Sequence, residues 1–86
     1  MILYVVCVRD RAADVYGQPN FTTSLGAAIR SFADEVNRPG ENNVLNRHPG
    51  DFDLYSLGTY DDSVGSFSCG TPKQIAVGKD LVIVKG

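Results

Sequence analysis

Three residues, Cys7, His48 and Cys69, have side chains that bind zinc or act in nucleophilic catalysis. A structural zinc site needs about four ligands at short, characteristic spacings, whereas these three are widely separated. His48 precedes Pro49 in a polar segment that is typical of an exposed turn. Nothing in the sequence holds this histidine beside a serine or cysteine nucleophile. The residues therefore predict neither a metal site nor an enzyme.

Two further patterns only partly match known ligand-binding motifs. Gly78 and Lys79 match the end of a phosphate-binding loop, but Lys73 stands where the first glycine is required and Asp80 replaces the Ser or Thr. Four aspartates lack the spacing, the glycine and the closing glutamate of a calcium loop, and are typical of turns. These are Asp51, Asp53, Asp61 and Asp62. We therefore expect no cofactor.

A segment of interleaved basic and aromatic residues favours a different chemistry, contact with single-stranded nucleic acid. Arg9 and Arg11 are followed by Tyr16 and Phe21, and such a mixture can hold phosphates and stack bases. The alternative is structural: nearby aspartates neutralise the arginines, and the aromatic rings pack inside the protein. The net charge is −2, so any phosphate contact would need a local arginine cluster.

One segment, residues 24–37, has a clear helical period and must position the rest of the chain. Its apolar side chains recur at helical spacing and form one stripe: Leu25, Ala28, Ile29, Phe32 and Val36. Thr23 or Ser24 can cap the first turn, and Pro39 and Gly40 end the helix. The stripe predicts a helix that packs on a sheet.

Several other segments are typical of strands. The first, residues 2–8, is apolar on both faces and indicates a central strand. A hairpin follows the helix, and alternation along its first arm places Phe52, Leu54 and Tyr60 on one face and Tyr55 on the other. In chain order, the predicted strands are residues 2–8, 52–60, 66–69, 74–77 and 81–84.

The length and the remaining segments define the domain organisation. The 86 residues suffice for one modest core, which predicts a single α+β domain over residues 1–86. One helix packs on a small, mainly antiparallel sheet in the order strand, helix, hairpin, strand. Residues 9–20 contain Gly17 and Pro19 and predict a long loop or flexible arm. The apolar start is too short for a membrane span or a signal peptide, so we expect no membrane contact and a cytoplasmic location.

Four segments carry a family resemblance: residues 8–21, 26–38, 48–67 and 71–81. In this order they resemble the small nonstructural protein of gokushoviruses, tailless single-stranded-DNA phages of the Microviridae. The resemblance covers nearly the whole chain. It implies a non-virion accessory protein in the cytoplasm of an infected bacterium. Members of that family are usually described as DNA-binding, or as serving viral DNA synthesis and packaging, and the family offers no catalytic residues.

Two functional hypotheses follow. The first is a non-enzymatic phage accessory protein that binds single-stranded DNA as a homo-oligomer and assists viral DNA synthesis or packaging. Its predicted DNA contacts are Arg9, Arg11, Arg30, Arg38 and Lys73 for phosphates, with Tyr16 and Phe21 for stacking. The alternative is an oligomeric protein-interaction module that recruits replication or capsid-assembly partners without touching DNA. The apolar first and last strands favour it, because sheet edges need to be covered.

Overall fold

The computed structural model describes residues 1–83 and shows one antiparallel sheet with a long helix on one face. In chain order the elements are β1 (Ile2–Asp10), β2 (Val15–Tyr16), β3 (Asn20–Thr22), α1 (Leu25–Asn37), α2 (Val44–Arg47), β4 (Phe52–Asp61) and β5 (Ser66–Val77). The strand order is β2-β1-β4-β5, and β3 pairs with β1 on the same side as β2. The predicted α+β class is confirmed.

Helix α1 begins and ends close to the predicted positions. Ser24 has an extended backbone, and its Oγ accepts a hydrogen bond of 3.0 Å from the amide of Ala27, which satisfies a free N–H of the first turn. Arg38 is again extended, and its amide donates to the carbonyl of Glu35. Within residues 1–83, no helix is long and apolar enough to cross a membrane.

The hydrophobic core lies between α1 and the two central strands. Its buried members are Val6, Ala28, Phe32, Val36 and Leu54. Burial of each large side chain stabilises the fold by about 1.5–3 kcal/mol before chain entropy is subtracted. The predicted helical stripe therefore anchors the sheet, as its spacing indicated.

The pairing register divides the sheet into two faces. Val6 and Leu54 contact α1 and define the helix face. Their chain neighbours Cys7 and Tyr55 form a cross-strand pair and point to the opposite side, which we call the open face. A β-bulge at Leu57 inserts one extra residue into β4 and shifts the alternation beyond it.

The segment predicted as a loop or arm, residues 9–20, carries the end of β1, all of β2 and the first residue of β3. Asp14 adopts a positive φ of 55° in the turn between β1 and β2, and the Gly17 amide donates to the Val8 carbonyl at 2.7 Å. These strands could not be predicted from the sequence, because they are two and three residues long and Pro19 interrupts the pattern.

The end of the described chain also differs from the prediction. The final strand predicted over residues 81–84 is wrong for residues 81–83, because Gly78–Leu81 forms a 3-10 turn. Asn37 binds this segment from α1: its Nδ2 donates to the Leu81 carbonyl at 2.9 Å, and its Oδ1 accepts from the Ile83 amide at 2.8 Å. Val84 lies outside the described residues.

The predicted hairpin is longer than expected, and its second arm is one strand instead of two separate elements. The separate edge element predicted over residues 74–77 is the end of β5, which runs without a break through 12 residues and pairs with β4. The strand ends at Val77 and is followed by Gly78, where a Cβ would meet the backbone carbonyls of Pro49 and Phe52. This close backbone approach turns the chain back towards α1.

A short second helix was not predicted. Asn43 caps α2 through a hydrogen bond from the Leu45 amide to Oδ1, while Nδ2 donates to the carbonyls of Glu35 and Arg38, both at 2.8 Å. The Asn43 side chain is buried, and its hydrogen bonds satisfy free carbonyls at the end of α1. One amide side chain thus joins the two helices.

Candidate nucleic-acid interface

The first aromatic cluster lies at one end of the open face. Arg9 on β1 pairs with Tyr16 on β2, and the guanidinium carbon lies 5.3 Å from the centroid of the Tyr16 ring. The Tyr16 ring meets Tyr55 edge to face, with centroids 5.3 Å apart. A cation over an aromatic face is attracted by the ring quadrupole, so the three side chains form one unit. We call Arg9, Tyr16 and Tyr55 the arginine cluster.

The charge of Arg9 is partly balanced within this end of the sheet. Its Nη2 donates to Asp14 Oδ1 at 2.7 Å, and this hydrogen bond raises the pKa of Arg9. The Asp14 side chain is 84% exposed, so its carboxylate remains well solvated. A phosphate that approaches Arg9 must therefore compete with a solvent-exposed carboxylate, which is a weak competitor.

The second aromatic cluster lies further along the same face. Phe21, Tyr60 and Phe67 come from β3, β4 and β5, with ring centroids 4.6–6.2 Å apart. The strand register brings the three rings together, because Tyr60 pairs directly with Phe67 and Phe21 pairs with Val5 on β1. Phe21 is 53% exposed and Phe67 58% exposed, so their ring faces remain available to a ligand. We call these three residues the phenylalanine cluster.

The two clusters are separated along the strands by a short stretch of the sheet. Arg9 and Val5 are four residues apart on β1, which corresponds to about 13 Å at the usual rise per residue. Between them Cys7 is fully buried, and burial raises the pKa of its thiol. Gly58, the partner of Val5 on β4, carries no side chain, and Cys69 of β5 fills the space beside it. Because Val5 and Cys7 are only 4% and 0% exposed, the exposed aromatic rings lie at two separate places on the open face.

Arg11 has a structural partner. Its Nε lies 2.7 Å from Asp53 Oδ2, and its Nη2 also donates to the carbonyl of Gly50. Asp53 is only 2% exposed, whereas the Arg11 side chain is 43% exposed. The guanidinium therefore neutralises a buried carboxylate at the edge of the arginine cluster.

The other predicted phosphate contacts lie on the helix side of the sheet. Arg30 is exposed on α1, and Arg38 at its end donates to both carboxylate oxygens of Glu35, at 2.9 and 3.0 Å. Lys73 pairs with Ser56, which shares the helix face with Val6. The structure therefore groups Arg9, Tyr16 and Phe21 on the open face and places Arg30, Arg38 and Lys73 elsewhere. Their contact with DNA stays a prediction.

Sequence reasoning missed Tyr55, Tyr60 and Phe67. Strict alternation placed Tyr55 and Tyr60 on opposite faces, but the bulge at Leu57 brings both to the open face. The available signal was Gly58, since a glycine inside a strand pattern often marks a bulge. Two contacts in this region agree with the structural alternative for the arginine segment: Asp14 binds Arg9, and the Tyr16 ring packs on Tyr55.

Together, the fold and the open face define a small α+β protein whose sheet carries a helix on one side and exposed aromatic rings on the other. The family model of the Phage ORF5 protein matches residues 3–81, and the chain belongs to this family. It is therefore a bacteriophage protein, which confirms that part of the prediction. No curated protein and no solved structure matches the chain at a significant level.

Proposed function

We propose that this phage protein binds single-stranded DNA on the open face of its sheet. It acts as a non-enzymatic accessory protein in the cytoplasm of the host bacterium and assists viral DNA synthesis or packaging. The observation that carries the proposal is the presence of two aromatic clusters on one face, with Arg9 stacked on Tyr16. The resemblance to the gokushovirus nonstructural protein supports the same function.

The two clusters have complementary tasks in this proposal. Bases stack on the exposed rings of Tyr16, Phe21 and Phe67, and each stacked base contributes about 1–3 kcal/mol. A backbone phosphate displaces Asp14 and binds Arg9. Because each phosphate contact on a single strand adds only about 0.7 to the salt slope, a site with one or two arginines depends modestly on salt. Stacking therefore provides most of the affinity.

The test is fluorescence anisotropy with a labelled oligothymidine, titrated between about 50 and 200 mM salt. Tyr16→Ala and Phe67→Ala each weaken binding by about fivefold to 150-fold, the equivalent of one lost stack. Val44→Ala is the matched control, because Val44 is also exposed, at 51%, but lies on α2 away from the open face. This control leaves the affinity unchanged.

A second pair of variants distinguishes the two sides of the sheet. Arg9→Ala reduces both the affinity and the salt slope, whereas Arg30→Ala on the exposed surface of α1 changes neither. The reverse pattern would place the DNA on the helix side and reject the open face as the site. Absence of any binding at the lowest salt would reject direct DNA contact altogether.

The pattern of ion pairs favours one other function, the recruitment of viral replication or capsid proteins without DNA contact. Three arginines are bound to carboxylates within the protein, in the pairs Arg9–Asp14, Arg11–Asp53 and Arg38–Glu35. Two of these pairs, Arg9–Asp14 and Arg11–Asp53, lie beside the aromatic rings of the open face, and an aromatic surface with balanced charges is also typical of protein interfaces. Capture of replication or capsid proteins from nuclease-treated infected cells by the wild type, and its loss in Phe67→Ala, would support this alternative.

A further inference from the structure

Strand β5 forms one long edge of the sheet. Among the described strands it pairs only with β4, and residues 66–74 are all exposed. The opposite edge is formed by β2 and β3, which have only two and three residues, and such short edge strands resist pairing with another sheet. An unpaired strand presents a row of free backbone N–H and C=O groups that another strand can pair with. This edge is therefore the place where the sheet can be extended.

The two halves of this edge differ in how they are protected. Pro72, Lys73 and two register shifts, one between Cys69 and Lys73 and one near Ile75, occupy the second half, and such features block pairing between sheet edges. The first half, residues 66–70, contains no charge and no proline. It also contains Phe67, which is 58% exposed. The unprotected half is therefore the part of the edge that is open to pairing with another strand.

We infer that residues 66–70 pair antiparallel with the same residues of a second copy, about a two-fold axis at Ser68. This register uses the whole unprotected half and leaves Pro72 outside the paired segment. It places Ser68 opposite Ser68 and Phe67 opposite the Cys69 of the second copy. Because the segment is uncharged, two identical copies meet without like-charge repulsion. An unrelated charged strand has no complementary group here to select it.

Helix α1 leaves room for this pairing. Its core contacts on the sheet are with Val6 and Leu54, whereas residues 66–70 belong to the far end of the hairpin, beside Gly58 and Asp61. In the dimer the open faces of both copies join, and the two phenylalanine clusters lie side by side. A five-residue strand pair makes a small interface, so the dimer is a reversible one.

The first experiment measures mass by sedimentation equilibrium in the absence of DNA, so its outcome is independent of the proposed function. The wild type reaches about twice the 9.3 kDa of the single chain as its concentration rises. Ser68→Lys and Ser68→Asp each remain monomeric, because like charges then lie directly opposite each other. Ser68 is exposed in the single chain, so both variants keep the wild-type circular dichroism spectrum. An equimolar mixture of the two recovers the dimer.

The second experiment tests the register by disulfide formation. In a Cys69→Ser background, Ser68→Cys places two thiols on directly opposite residues, whose Cα atoms are about 4.5–5.5 Å apart in an antiparallel pair. That separation permits a disulfide, so mild oxidation links the two chains. Val64→Cys in the same background is the matched control, because Val64 is 71% exposed but lies outside the paired segment. It gives no linked dimer.

Three results would overturn the inference. The first is a wild-type mass of one chain at every concentration. The second is a dimer that persists in both Ser68→Lys and Ser68→Asp, since the contact then lies elsewhere. The third is disulfide formation that is as efficient from position 64 as from position 68.

Discussion

Arg11 Nε lies 2.7 Å from Asp53 Oδ2, and this ion pair joins the turn after β1 to the start of β4. The Asp53 side chain is 3% exposed and that of Arg11 is 43% exposed. In the part of the chain that the structure describes, the second carboxylate oxygen of Asp53 has no hydrogen-bond partner. Arg11 is therefore the main compensation for a buried charge. Arg11 thus stabilises the fold, independently of any contact with DNA.

This asymmetry predicts unequal effects of removing the two partners. Arg11→Ala leaves a buried carboxylate without its cation and lowers the free energy of unfolding by about 3–5 kcal/mol. Asp53→Asn removes the buried charge, and the half-exposed Arg11 can turn to water, so the loss is smaller, about 1–2 kcal/mol. Urea unfolding measures both. Arg30→Ala on the exposed surface of α1 serves as control and changes stability by less than about 0.5 kcal/mol.

The carboxylate of Asp14 limits the availability of Arg9 for phosphate. Asp14→Asn removes the competing charge, while asparagine tolerates the positive φ of 55° at this turn. We expect tighter binding of single-stranded DNA, because a phosphate then reaches Arg9 without displacing a carboxylate. Asp34→Asn on α1 changes the net charge equally and should leave the affinity as it is. Equal effects of both variants would mean that Arg9 is not the local contact.

Gly58 lies in the part of the sheet between the two aromatic clusters. Its φ is +143°, and a Cβ there would lie 2.6 Å from the Cα of Cys69. Gly58→Ala therefore combines backbone strain with steric overlap and destabilises the protein by about 3 kcal/mol or more. Gly26→Ala is the matched control: nothing lies within 4 Å of the new Cβ, and the change stabilises α1 by about 0.5–1 kcal/mol. Thermal unfolding of the two variants should shift in opposite directions.

The ion pair at the end of α1 predicts a pH dependence on the acid side. The hydrogen bond from Arg38 holds the pKa of Glu35 below its usual value of 4.5. A carboxyl with a depressed pKa in the folded state contributes stability above its unfolded pKa and loses it as the pH falls through its folded pKa. We expect the stability difference between the wild type and Glu35→Gln to be constant above about pH 6 and to shrink below pH 4.5. A difference that grows towards low pH would contradict this assignment.

Several elements could be predicted because local signals specify them. The stripe of α1 and its Ser24 cap follow from residue spacing and from one hydroxyl at the start of the helix. The hairpin of β4 and β5 follows from alternation on both sides of a turn-rich segment. Only part of the candidate site could be predicted from the sequence. Tyr16 and Phe21 were recognised through their spacing from Arg9, but Tyr55, Tyr60 and Phe67 were not.

The sequence by itself determined the fold class, the position of the main helix and the segment that carries Arg9 and Tyr16. Only the tertiary structure decided that five aromatic rings share one face, that Arg11 is bound by a buried Asp53, and that the chain after β5 turns back to Asn37. The physical reason is that period and capping act between residues a few positions apart. A single bulge at Leu57 instead reverses the faces of all later residues in its strand, and its position depends on pairing with a distant β1.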